Sequence, residues 1–126
     1  MIITRSGFGH AETMTRLLDA IAARGLKVFA RIDHAAAARE VGLELADEQV
    51  IVFGNPQAGT ALMQLDPRIG IELPLRILVW EDRGGALVGH NDPRGLSGPY
   101  DVEAHQQTLD QMANLLEALV AGAVDS

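Results

Sequence analysis

LRILVWEDRGGALVGH, residues 75–90, decides the fold class. Leu75 to Glu81 and Ala86 to His90 are two short runs rich in strand-forming residues. Asp82-Arg83-Gly84-Gly85 joins them as a hairpin turn. Strands joined this way pair antiparallel. Working outward, Gln49 to Phe53 is a further apolar strand. Lys27 to Asp33 is another, with Val28, Ala30 and Ile32 alternating against Phe29, Arg31 and Asp33. The chain opens on the strand-like Met1-Ile2-Ile3-Thr4-Arg5, which ends near Ser6, and Ile69 to Leu73 reads as extended until Pro74 interrupts it.

The helices follow from a different period. Met14, Leu17, Leu18 and Ile21 recur at helical spacing, and Gly25 suits the position just beyond the helix end. Ala35 to Glu40 is a short helix former ending near Gly42. Gly54-Asn55-Pro56-Gln57-Ala58-Gly59-Thr60 breaks the strand before it and leads into a short helix reaching about Leu65. Asn91 to Tyr100 is a Pro/Gly-rich loop. Leu109, Met112, Leu115, Leu116, Leu119 and Val120 then mark one face of a long amphipathic helix, packed most simply on the sheet. Strand, helix, several strands and a final helix make an α+β domain with a mainly antiparallel sheet.

The 126 residues suit one domain, residues 1–126, with no repeat or linker. A hydrophobic fraction of 48% supports a real core, and an aromatic fraction of 4% makes that core aliphatic. The lack of Cys excludes disulfides, thiolate metal sites and cysteine nucleophiles, and fits a reducing cytoplasm. The first residues lack the pattern of a signal peptide, and no apolar run approaches the roughly 20 residues of a membrane span. A cytoplasmic protein without membrane association is the expectation. The net charge of −7 argues against nucleic acid as a partner, because the phosphate backbone selects basic surfaces. Abundant Arg beside the lone Lys27, with much Ala and Gly, suggests a bacterial source.

Three segments together carry a resemblance. They are IDHAAAAREVG at 32–42, VIVFGNPQAGTALMQ at 50–64 and ELPLRILVWED at 72–82, followed by HNDP at 90–93. The chain resembles the domain-of-unknown-function family 302, DUF302, over nearly its whole length. The resemblance implies a β-α-β(4)-α order, as in the TATA-binding-protein-like fold, and a homodimer. It implies neither DNA binding nor a catalytic mechanism. The family pattern has Asp before Leu-Pro-Leu; this chain has Glu72, one methylene longer.

Candidate site residues fall into three groups. His34 follows a strand and precedes the Ala-rich helix, where an imidazole can serve as general acid or base near neutral pH. Its bland reading is a local cap. Asn55 with Pro56 can start a helix, and Thr60 can cap the next one. Free N–H groups at such starts attract anions, although there is no P-loop Lys and Asn, Pro, Gly and Thr are also ordinary turn formers. Glu72, Glu81 and Asp92 are the carboxylates that could do acid–base work, while Asp92-Pro93 is equally a turn opening. Glu81 shares a strand face with Ile77 and Val79, and Asp82 is expected to be solvated. A metal site could draw on His34, His90 and His105 with nearby acids, but no close ligand spacing supports it and no metal ligands are assigned.

The leading expectation is a homodimeric small-ligand-binding or interaction module rather than an enzyme, with a pocket near His34, Asn55, Gly59, Thr60 and Asn91. One alternative is an enzyme using His34 as general acid or base with Glu72 or Glu81 on a small polar substrate. Another is a His/carboxylate metal binder. The sequence names no cofactor.

Overall fold

In the computed structural model, which describes residues 1–125, the hairpin forms as read. β4 (Leu75–Asp82) and β5 (Gly85–His90) pair antiparallel, with Asp82 opposite Gly85. Arg83 (φ 54°) and Gly84 (φ 77°) are the two central residues. Positive φ at both positions gives the turn the twist its flanking strands require, and Gly84 adopts it without a Cβ penalty.

Around this hairpin lie β1 (Ile2–Arg5), β2 (Lys27–Asp33) and β3 (Glu48–Gly54). The five strands run in the order β1-β5-β4-β3-β2, every neighbour antiparallel. β1 and β2 are therefore the two edges. α1 (His10–Ala23) carries the chain from one edge to the other. Its stop is a Schellman motif: the Gly25 N–H donates to Ala22 O (3.0 Å) and the Leu26 N–H to Ile21 O (3.3 Å), with Gly25 at φ 66°.

α1 and the long α4 (Gln106–Val124) lie together on one face of the sheet. Met14, Leu17 and Ile21 of α1 and Leu109, Leu116 and Leu119 of α4 meet Ile51, Phe53, Ile77, Val79 and Val88 of the strands. Gly122 of α4 faces Ala20 of α1, where an added Cβ would make ordinary contact at 3.8 Å. The opposite face carries Ile3, Ile32, Val50, Val52, Leu78, Trp80 and Leu87 by the strand register, and none of these belongs to the core.

Two short helices complete the connections, α2 (His34–Glu40) and α3 (Pro56–Leu65). Two sequence expectations change here. Residues Pro67–Ile71 form a 3-10 turn, where an extended Ile69 to Leu73 was expected. The Asp66 side chain accepts from the Arg68 N–H (3.1 Å) and Pro67 fixes φ, so a helical turn starts where hydrophobicity alone suggested a strand. The strict alternation of β2 also fails. The register shifts between Val28 and Ala30, which makes Phe29 the extra residue of a bulge.

Candidate functional site

A cavity of about 400 Å³ opens where β3 ends and α3 begins. Asn55 builds this corner. Its Oδ1 accepts the Gln57 N–H at 2.9 Å, and Pro56 occupies the first helical turn, as the sequence suggested. Because the helix already starts at Pro56, Gly59 and Thr60 lie inside α3 and Thr60 caps nothing; this corrects the expectation of a second helix start. Gly59 and Thr60 line the cavity with Asn55. Leu73 to Leu75, entering β4, form one wall, Thr108, Gln111, Met112 and Leu115 of α4 another, and Phe29 at the β2 bulge a third. A volume in this range suits a small organic molecule.

The cavity walls are held together by a polar clamp that sequence reading did not pick out. Asp66, 4% exposed, accepts from Arg68 Nε (3.0 Å), Arg68 Nη2 (2.7 Å) and the Asp101 N–H (3.0 Å). It thereby ties the connection after α3 to the loop that leads into α4. Hydrogen bonds from the Arg68 side chain, and next from the Asp101 backbone, hold its carboxyl far below the usual carboxylate range. Arg68 also sits over the Tyr100 ring, 5.9 Å from its centroid. Tyr100 donates to Glu72 Oε1 at 3.4 Å; burial, and then the Glu72 charge, push its phenol above the usual range. The dipeptide Asp66-Pro67, a cap followed by a fixed φ, was the available signal.

The remaining candidates lie elsewhere. His34 is exposed at the first position of α2, and Asp33 is the cap, its Oδ1 accepting the Ala36 N–H at 2.9 Å. Asp33 pairs with Gln49 near the start of β3, whereas Asn55 follows its end. The seven residues of β3 put these corners roughly 20 Å apart. Glu81 is exposed at the hairpin end of β4 and Glu72 precedes the other end, so the two carboxylates do not meet. Asp82 is ion-paired to Arg5. Glu72 and Asn91 do share a small cleft of about 50 Å³ with Arg76 and Asp92, and Leu75 separates it from the main cavity by lining both. Asp92 opens a 3-10 turn by accepting the Arg94 N–H at 3.0 Å.

Two imidazoles are buried: His10, which received no role from the sequence, and His90, offered there only as a conceivable metal ligand. His10 is 8% exposed with Nε2 3.3 Å from Val79 O, and His90 is 5% exposed with Nδ1 2.9 Å from Asn91 O. Among the described residues no three His, Asp or Glu side chains come close enough to hold a metal ion. Among the same residues no helix is long and apolar enough to cross a membrane.

The sequence profile of the domain of unknown function DUF302 matches residues 2–119. The chain belongs to the DUF302 family. An uncharacterized conserved DUF302 protein from Bacillus stearothermophilus shares the fold at a TM-score of 0.86, covering 98% of this chain and 97% of that one at 20% identity. This DUF302 chain is also 43% identical over 98 residues, 77% of its length, to proteins from Brucella suis and Brucella abortus named fluoride-specific ion channel FluC 1. It covers only 39% and 36% of those chains.

Proposed function

We propose that this DUF302 chain is a small-molecule-binding domain that works as a homodimer, with the α3–α4 cavity as its binding site. The observation that carries the reading is the convergence of Asn55, Gly59 and Thr60 with Leu73–Leu75 and α4 around one preformed space. Gly59 adds support. A helical Gly costs about 1 kcal/mol relative to Ala, and a Cβ here would point toward Leu73 Cδ1 (3.8 Å) and Met63 Cε (3.9 Å) without clash. Glycine at this position keeps the space open. His34 and Asn91 lie outside this site. An acid–base reading has less support: Glu72 precedes the far end of β4, while His34 and Glu81 share the other end of the sheet with β3 between them, roughly 10 Å apart.

Native mass spectrometry of the untagged protein, compared with its denatured mass, tests the ligand. A stoichiometric added mass on wild type that is absent from Gly59→Leu is the expected result. Equal retention by both proteins would end the reading.

The homodimer is supported by the sheet face away from the helices. Ile3 and Ile32 are exposed on it, and Val50, Val52, Leu78, Trp80 and Leu87 are half-buried. Contiguous apolar surface of this kind marks an interface. Arg76 and Glu48 lie on it at opposite sides of the Val50–Leu78 pair, and neither makes an ion pair among the described residues. A two-fold axis running across the strands at that pair brings Arg76 of one copy toward Glu48 of the other. Five strands spaced about 4.8 Å make a face roughly 20 Å wide, which suits a second sheet better than a single helix about 10 Å across. In sedimentation across a dilution series, wild type is expected as a dimer and Leu78→Asp as a folded monomer. A monomeric wild type, or a dimer untouched by Leu78→Asp, would refute this surface.

The Brucella similarity favours a second reading. The matched 98 residues are part of longer chains named fluoride-specific ion channels. This domain would then be an accessory to such a channel. Unchanged fluoride efflux in cells lacking the chain would eliminate that reading.

A further inference from the structure

No charged side chain lines the cavity among the described residues. Its walls are apolar except at three places: Asn55 at the corner, Thr60 on α3, and Thr108 with Gln111 on α4. The Asn55 carboxamide oxygen is engaged by the Gln57 N–H. Thr108 and Gln111 are three residues apart on one helix and face the same way. Lys27 flanks this region with its ammonium 5.0 Å from the Phe29 centroid, outside the lining.

A carboxylate or ammonium entering such a lining would shed water without gaining a partner of opposite charge. The net charge of −7 adds general repulsion of anions. A pure hydrocarbon, in turn, would dry the threonine hydroxyls and the glutamine amide without replacing their water bonds. A hydroxyl or carbonyl avoids both penalties, since Thr and Gln can each donate and accept. Resting on the ligand-binding reading, we infer that the cavity takes a neutral molecule with an apolar body and a single hydroxyl or carbonyl group. That group meets Thr60, Thr108 and Gln111.

The test is displacement of the neutral fluorophore N-phenyl-1-naphthylamine at neutral pH by three ligands of matched chain length: 1-decanol, decanoic acid and decylamine. The alcohol should displace the probe at a concentration at least about tenfold lower than either charged analogue. Thr108→Val should weaken the alcohol roughly threefold to tenfold, read against the probe's own affinity measured on the same variant. Decanoic acid or decylamine competing as well as the alcohol would overturn the inference. An acid preference abolished by Lys27→Met would identify the cavity as a carboxylate site instead. The probe itself separates the two levels of failure. If it does not bind wild type, or binds Gly59→Leu equally, the ligand-binding reading falls and takes this inference with it. If Gly59→Leu blocks the probe but the order of the analogues is reversed, only the ligand class is wrong.

Discussion

The two ends of β3 began with similar sequence credentials and finished as different places. At one end, Gly54 leads into Asn55-Pro56 and α3; at the other, the paired end of β2 leads through Asp33 and His34 into α2. Each corner has an Asx cap and a short helix, with cap distances of 2.9 Å in both. Enclosure is what separates them. Leu73–Leu75 and α4 come down on the Asn55 corner and leave a cavity, while His34 stays exposed. A motif supplies local geometry, but a binding site also needs walls, and here the walls come from residues up to sixty positions away in the chain.

The largest expected effect that sharpens this contrast is at Asp66, which fixes the walls of the enclosed corner. Asp66→Asn removes the charge that Arg68 and the Asp101 N–H converge on, from a side chain almost fully buried. Thermal unfolding at neutral pH should show Tm lowered by roughly 5–10 °C. The dependence on pH has a definite sign. The folded-state pKa of Asp66 is depressed, so its contribution is complete above the ordinary Asp value of about 3.9 and drains away as pH falls toward the folded value. The gap in urea midpoint between wild type and Asp66→Asn should therefore be constant from about pH 6 to 8 and shrink below about pH 5. A gap that widens on acidification would show that the clamp does not act through the carboxylate.

How much of this was legible in sequence depends on the range of the interaction. The hairpin, the Gly25 stop, the Asn55–Pro56 helix start and the stripe of α4 are local patterns, and each stands where it was read. Local competition produced the misses: the Asp66 cap and Pro67 overrode the apolar run after them, and a bulge at Phe29 interrupted the alternation of β2. Phe29, at the bulge, lines the cavity, and nothing local in β2 shows that a cavity would form beside it. At longer range, nothing in Glu72 announces that one strand length separates it from Glu81 and His34. Nor does Thr60 announce that it would line one cavity with Thr108 and Gln111. Charge and hydropathy read along the chain do not encode which corner a distant helix will cover.

The smallest effects form a pair, and they bear on the comparison most directly. Asn55→Ala and His34→Ala each alter one corner of β3 with a modest change in volume. Losing the Asn55 cap should cost about 1 kcal/mol in urea unfolding, because the Gln57 N–H loses its acceptor. Since Asn55 also borders the cavity, probe binding should weaken with it. The His34 side chain makes no hydrogen bond among the described residues and is exposed, so His34→Ala should change stability by less than about 0.5 kcal/mol and leave probe affinity unchanged. A His34→Ala protein that loses ligand would mean the open corner contributes to binding after all. In a homodimer that contribution need not come from the same copy. Dissociating the pair with Leu78→Asp would then abolish the His34 effect if it crosses between subunits, and preserve it if it travels along β3 within one.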